Sequence, residues 1–236
     1  MKRTVLLFIL TAALALAAPA SADVFLLGFT GFDYDSALAT STHYLDVGDQ
    51  YHSLGVVTSV NTGLLPYVDM SVNQYTYYMN NLYVASVPYW DLDILFVDFS
   101  NLSGRTRYYE DPIGNTPGVY GTNPANGTAP STFVDGVIAL GGKTYNFSLS
   151  YTFSSGQGDF GGYMDLDEGT QLSGGYIPTS QLNGWILGGL SGNGLSGPPN
   201  PSVPAGYDHQ VEGSCRRPSV TPATHKTWGA IKALYR

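Results

Sequence analysis

Between residues 24 and 187 the apolar residues fall into eight or nine short β-prone runs, and no stretch keeps a helical period. Glycine, proline and asparagine separate the runs. A strand of that length cannot bury a face by itself and must pair with neighbours. Short strands at regular spacing predict an all-β chain, an antiparallel β-sandwich or barrel. Composition points the same way. Of 236 residues, 18 are tyrosine and 29 glycine, while only 12% are charged. Tyrosine suits a pleated, half-buried surface and glycine suits tight turns. Disordered chains show the reverse bias, few aromatics and much charge.

The clearest strand lies at 92–99 (LDILFVDF), and a continuous apolar run at 24–30 (VFLLGFT) predicts another. Further strands are predicted at 53–61, 74–85, 105–109, 163–172 and 182–187. Asn80-Asn81 interrupts the 74–85 run as a hairpin turn or a bulge, and Pro88 follows. Two alternating segments, 132–140 and 143–153, flank Gly141-Gly142, a pair that predicts a two-residue hairpin turn. Residues 33–49 are polar without a period. Residues 110–131 hold four prolines, four glycines and three asparagines and read as a long irregular loop. Residues 191–204 read as a linker or closing loop.

Residues 1–22 have the three parts of a secretory signal peptide: Lys2 and Arg3, an apolar run over 5–18, and the small residues Ala20-Ser21-Ala22. The run is too short for a permanent bilayer anchor, so the mature chain is expected to carry no transmembrane segment. It would be secreted, or held in a periplasm or at the cell surface. An antiparallel β domain is expected over 23–212 and a basic tail over 213–236. Within the tail, Trp228, Ile231 and Leu234 or Tyr235 recur at helical spacing, which predicts a short amphipathic helix at 227–236.

Charge divides at that boundary. From 23 to 212 there are 18 acidic side chains against Arg105, Arg107 and Lys143, and beyond 212 five basic residues and no acid. An acidic body repels phosphate backbones, which argues against nucleic acid as a partner. Cys215 is the only cysteine, so the core must stand on packing alone, and its place at the start of the tail predicts an accessible thiol.

Three Asp-x-Asp pairs carry the most chemistry: Asp33/Asp35, Asp91/Asp93 and Asp165/Asp167, the last followed by Glu168. Residues two apart on a strand share a face, and paired carboxylates suit a divalent cation such as calcium. Asp165, Asp167 and Glu168 are the best metal candidates, although no segment has the spacing of an EF-hand loop. A hydrated strand face explains each pair equally well. The same acids, with Tyr75, Tyr77, Tyr78, Tyr83, Tyr89, Trp90 and Trp185 to stack on sugar rings, would also serve a glycoside hydrolase acting on polysaccharide.

No Gly-x-Ser-x-Gly elbow is present, and His43, His52, His209 and His225 are scattered without zinc spacing. His209 is expected at the surface. Asn101, Asn126 and Asn146 lie in Asn-x-Ser/Thr sequons. No catalytic residue and no organic cofactor is singled out.

Residues 55–78 (GVVTSVNTGLLPYVDMSVNQYTYY), 133–136 (FVDG), 206–210 (GYDHQ) and the closing TWGAIKALYR resemble a group of uncharacterised exported bacterial proteins. Their shared ending is Thr-Trp-Gly-x-Ile-Lys-x-Leu-Tyr-Arg. The resemblance implies an exported β-rich protein and a tail read by some other component, and it brings no activity with it. The leading expectation is an exported, non-catalytic protein whose acidic, aromatic body contacts carbohydrate, a cation or a cell-surface component. The alternative is an extracellular hydrolase. Mass spectrometry of the exported protein should find its N-terminus at Asp23; an intact N-terminal Met1 would count against the leader.

Overall fold

The computed structural model describes residues 23–38, 45–112, 130–192, 203 and 206–218. The expected signal peptide, the helix at 227–236 and most of the 110–131 and 191–204 segments lie outside them. Phe25–Arg217 make up one unit of the chain, and the strands belong to it.

Nine strands succeed one another: β1 (Val24–Ser36), β2 (Gln50–Val60), β3 (Asn73–Trp90), β4 (Ile94–Phe99), β5 (Arg105–Pro112), β6 (Val137–Thr152), β7 (Gln157–Glu168), β8 (Trp185–Gly192) and β9 (His209–Arg217). Each pairs with its neighbours, and β1 pairs with both β2 and β9, so the sheet closes on itself. β4 and β5 share one place in the ring. β4 pairs with the later part of β3 and β6, and β5 with their other halves. The result is an eight-stave antiparallel barrel, the second of the two architectures expected.

Alternation along the strands sends one set of side chains inward. On β4, Leu95, Val97 and Phe99 are buried while Phe96 and Asp98 are exposed. On β7, Phe160, Met164 and Leu166 are buried while Asp159, Tyr163 and Asp167 are exposed. Aromatic rings fill the interior as a connected column. Phe29 meets Tyr77 at 4.5 Å between centroids, Phe99 meets Phe147 at 5.3 Å, and Phe147 meets Phe160 at 5.8 Å. Trp185 is fully buried and donates its indole N–H to the Gln181 carbonyl at 2.7 Å. Phe29, Tyr51, Tyr77, Phe99, Tyr108, Phe147 and Phe160 thus go into a packed core. The outer wall carries Asp98, Lys143, Asn146, Ser148, Asp159, Asp167, Glu212 and Arg216, interspersed with exposed Tyr83, Phe96, Tyr163 and Leu190. No helix among the described residues is long and apolar enough to cross a membrane.

The two mouths differ. The β3–β4 and β6–β7 turns lie at one, the upper mouth. At the lower end the 61–72 connection and a single-turn helix, α1 (Thr170–Ser173), fold inward. Leu65, Val68 and Gln171 there meet Leu27, Val60 and Tyr75 around a small apolar recess.

Several expectations change. Gly141-Gly142 is no turn: β6 runs through both glycines, and the connection to β7 comes later, at 153–156. The glycines serve close approach instead, because a Cβ on Gly142 would sit 2.0 Å from the Asp165 carbonyl oxygen of β7. Asn80-Asn81 is the bulge of the two alternatives, with Asn81 in the left-handed region at φ 56° inside a continuous β3. Pro88 lies within β3, beyond the last residues that β2 pairs and inside the register shift of the β3–β4 ladder between Ser86 and Tyr89, so its missing N–H falls at an irregularity. The strand β9 carries the barrel past the expected boundary at Glu212, so Arg216 and Arg217 are barrel residues. Cys215 is therefore fully buried, not accessible, and burial pushes its thiol well above the ordinary range.

Gly142→Val forces a side chain against the β7 backbone, and neither strand can yield without losing ladder bonds. It should cost about 3 kcal/mol or more in denaturant unfolding. An unchanged midpoint would show the strands are not so tightly apposed.

Candidate functional site

The upper mouth collects the polar and aromatic groups that the rest of the barrel leaves out. Its floor is Asp33, fully buried on β1. One carboxylate oxygen accepts from Tyr51 at 3.1 Å and Ser191 at 2.8 Å. The other accepts the His209 backbone N–H at 2.9 Å and faces His209 Nδ1 at 3.1 Å. His209 is 8% exposed, on the first residue of β9. The expectation of a surface histidine is thus corrected, because its strand closes the barrel against β1. Serine, aspartate and histidine meet here, but Ser191 is bonded to the carboxylate and not to the imidazole. That is no nucleophile–base arrangement.

From this floor a line of rings climbs to solvent. The His209 ring lies 4.4 Å from Tyr151, Tyr151 lies 5.4 Å from Phe153, and Phe153 lies 5.9 Å from Trp90. Trp90 and Phe153 are 42% and 39% exposed. On the opposite face of the β3–β4 hairpin, Tyr89 and Phe96 pack edge to face at 6.1 Å. Leu92 stands at the hairpin tip wholly exposed.

These turns are held in fixed positions. Asp91 accepts the backbone N–H groups of Asp93 and Ile94, each at 2.7 Å, and the Tyr89 hydroxyl at 2.6 Å. Those bonds, the Tyr89 hydroxyl foremost, hold its carboxyl below the usual range. Asp93 joins the two turns: its carbonyl accepts from Phe153 N at 2.7 Å and its carboxylate from Ser154 N at 2.8 Å.

Beside the mouth, the outer wall of β1–β3 carries a second apolar pad of Phe32, Tyr34, Leu54, Phe133 and Tyr207. Thr76 bonds the Phe133 carbonyl at 2.8 Å, so the pad fastens the ends of two connections to the wall. His52 is stacked on Tyr34 at 4.6 Å and 7°, with Nδ1 2.8 Å from the Tyr78 hydroxyl and Nε2 3.1 Å from Ser36 Oγ. Burial pushes its pKa down to about 4. Nearby Asp208 is pushed up to about 6, by desolvation first and then by the Asp35 and Asp33 carboxylates.

Asp165, Asp167 and Glu168 lie on β7 near the other end. Register places Asp165 opposite Lys143 of β6, while Asp93 meets Phe153, roughly 30 Å along the same strand at 3.3 Å per residue. Asp165 accepts from Tyr145 at 3.1 Å and from the Gly184 amide at 2.8 Å. Arg105 grips Asp167 through two nitrogens, both at 2.8 Å, and also reaches Glu168. Arg107 Nε bonds Glu168 at 2.8 Å. Burial opposes ionisation of Glu168, but the two arginines outweigh it and hold the carboxyl below its usual range. Guanidinium groups, far away in sequence, neutralise Asp167 and Glu168 in the structure. Among the described residues, no group of three or more His, Cys, Asp or Glu is placed to hold a metal ion.

The three Asp-x-Asp pairs do not converge. Asp33/Asp35 and Asp91/Asp93 are at the upper mouth, and only the third pair faces out from a strand as expected. Tyr75, Tyr77 and Trp185 are core residues, while Tyr83, Tyr89 and Trp90 are exposed. His43, His225 and Asn126 lie outside the described residues; Asn101 and Asn146 bond each other at 2.9 Å. Sequence reasoning missed Phe96, Phe153 and Leu92 as surface residues. The available signal was the outward phase of Phe96 between Leu95 and Val97.

No protein-family model, curated protein or solved structure matches this chain.

His52 gives the barrel a directional acid response. Its folded pKa lies below the ordinary 6.5, so its contribution is complete above pH 6.5 and is lost as pH falls toward about 4. Asp208 runs oppositely, favouring the fold as pH falls through about 6 toward 3.8. Thermal unfolding of His52→Phe between these limits should lose less stability on acidification than the parent. An unaltered slope would remove His52 as the source.

Proposed function

We propose that this is an exported, non-catalytic binding domain, and that the aromatic rim at its upper mouth contacts a neutral polysaccharide. The observation that carries the reading is the Trp90–Phe153 pair. Two large rings stay part-exposed side by side on turns that Asp91 and Asp93 fix in place. Aromatic faces that are ordered before binding stack on sugar rings with little loss of side-chain freedom. Tyr89, Phe96 and Leu92 extend the apolar surface over the tip.

Charge selects the partner. Register puts Asp33, Asp35, Asp91, Asp93, Asp159 and Asp208 in the upper half of the barrel. The described cations, Arg105, Arg107, Lys143, Arg216 and Arg217, all belong to the lower half. An anionic lipid surface or polyuronate would meet like charge at the rim, whereas a neutral glycan would not. The hydrolytic alternative has less support. A glycosidase needs two carboxyls flanking one open cleft, and at this mouth Asp33 is engaged as a buried anchor and Asp91 and Asp93 as turn caps.

The test is affinity electrophoresis of the full mature chain through gels containing neutral β-glucan, xylan or polygalacturonate, with anionic vesicles assayed by flotation. Retardation by a neutral polymer is expected, with Trp90→Ala and Phe153→Ala each weakening it about tenfold. Their melting temperatures should stay close to the parent's, since both rings are part-exposed. Indifference to every neutral polymer, or retention that survives both substitutions, would overturn the proposal, as would preference for vesicles.

A further inference from the structure

At the lower end, two tyrosines from distant parts of the chain meet in the open. Tyr67 belongs to the 61–72 connection and Tyr176 to the segment after α1. They are 109 residues apart in sequence, with hydroxyls 2.5 Å from one another. Their rings stand at 82° with centroids 4.9 Å apart. Both are exposed, at 60% and 39%. Each is held by a buried neighbour in its own segment: Leu65 and Val68 flank Tyr67, and Ile177 follows Tyr176. The two phenols therefore face each other from anchored backbones.

A second observation concerns the ring carbons. A Cβ built on Gly174 would lie 2.3 Å from Tyr176 Cε2 and 3.3 Å from Tyr67 Cε2. The Cε2 atoms are ortho to the hydroxyls, and both flank this one point, which only glycine leaves empty. They are the carbons that carry spin density when a phenol is oxidised by one electron. The chain has a single cysteine, and it is sealed inside the barrel, so a disulfide cannot join these segments.

The geometry points to Tyr67 and Tyr176 as an oxidative cross-linking site, at which a peroxidase and hydrogen peroxide would join the two rings as a dityrosine. Each phenol gives up one electron and its hydroxyl proton, and the hydrogen bond between them offers the first proton an acceptor. The two phenoxyl radicals couple through a new Cε2–Cε2 bond. The hydrogens on those carbons then move to the oxygens, restoring both aromatic rings. The protein loses two hydrogens in all, and one hydrogen peroxide takes up two electrons and two protons to become two waters. The link closes a long loop and ties the two segments over the barrel's lower end. As with a disulfide, such closure restricts the unfolded chain more than the folded one.

The reaction goes beyond the binding role and does not depend on it; export matters only for where the oxidant is met. The experiment treats dilute purified mature protein with a haem peroxidase and limiting hydrogen peroxide. The product is read by intact mass, dityrosine fluorescence and peptide mapping. The expected product is a monomer lighter by two hydrogens, with a cross-linked peptide joining Tyr67 to Tyr176. Its melting temperature should rise by on the order of 5 °C. Tyr67→Phe and Tyr176→Phe should each abolish that product. Tyr163→Phe should not, although Tyr163 stacks on Tyr145 at 5.7 Å. A monomer of unchanged mass, a product made only of intermolecular dimers, or a link mapped to other tyrosines would overturn the assignment. Polysaccharide binding at the opposite mouth is read separately, so either idea can fail alone.

Discussion

One buried carboxylate ties the beginning of this barrel to its end. Asp33 of β1 takes hydrogen bonds from Ser191 of β8, Tyr51 of β2 and the backbone of β9, while its own carbonyl accepts the Asp208 amide at 2.9 Å. A sheet that closes has no exposed edge, so every ladder depends on the first strand finding the last. Hydrogen bonds to a charged acceptor contribute about 1.5–3 kcal/mol each, and a buried charge stripped of its partners is strongly unfavourable. The cluster therefore discriminates sharply between the correct closing register and any slipped one. Once closure is set, the interior has a fixed girth, and aromatic rings are the side chains with the bulk to fill it.

With the core committed to closure, chemistry is left to the two ends and the outer wall. The ends are built differently. Apolar side chains and a helical turn fold into the lower one, whereas hairpin turns with exposed rings crown the upper one. Ionic character is divided as well, with cations gathered on the lower staves. The Arg105–Arg107–Asp167–Glu168 network shows how the cations are used, clasping β5 to β7 across the glycines of β6.

The all-β class could be read from the sequence because alternation and turn residues are local signals. The run at 92–99 marks a strand before any partner is known. Closure itself could not be read. The bonds that make it join Asp33 to residues near 191 and 209, and nothing near Asp33 marks it as buried. Gly141-Gly142 misled for a related reason: a glycine pair permits a turn, but it equally permits the close passage of a third strand, and only the β7 partner decides. His209 and Cys215 looked peripheral because the approach of the C-terminus suggested a tail. Their strand is the last stave. Asp165, Asp167 and Glu168 do lie on a strand, yet the arginines that neutralise two of them come from sixty residues earlier.

The sealed sulfur of Cys215 has a practical consequence. It lies on β9 opposite Leu187 of β8, on the stave that completes the ring. A thiol reagent in solution can reach it only after that stave peels away or the whole barrel opens. The rate at which this atom becomes alkylated under native conditions is therefore a clock for barrel opening, already built into the chain and requiring no engineered label.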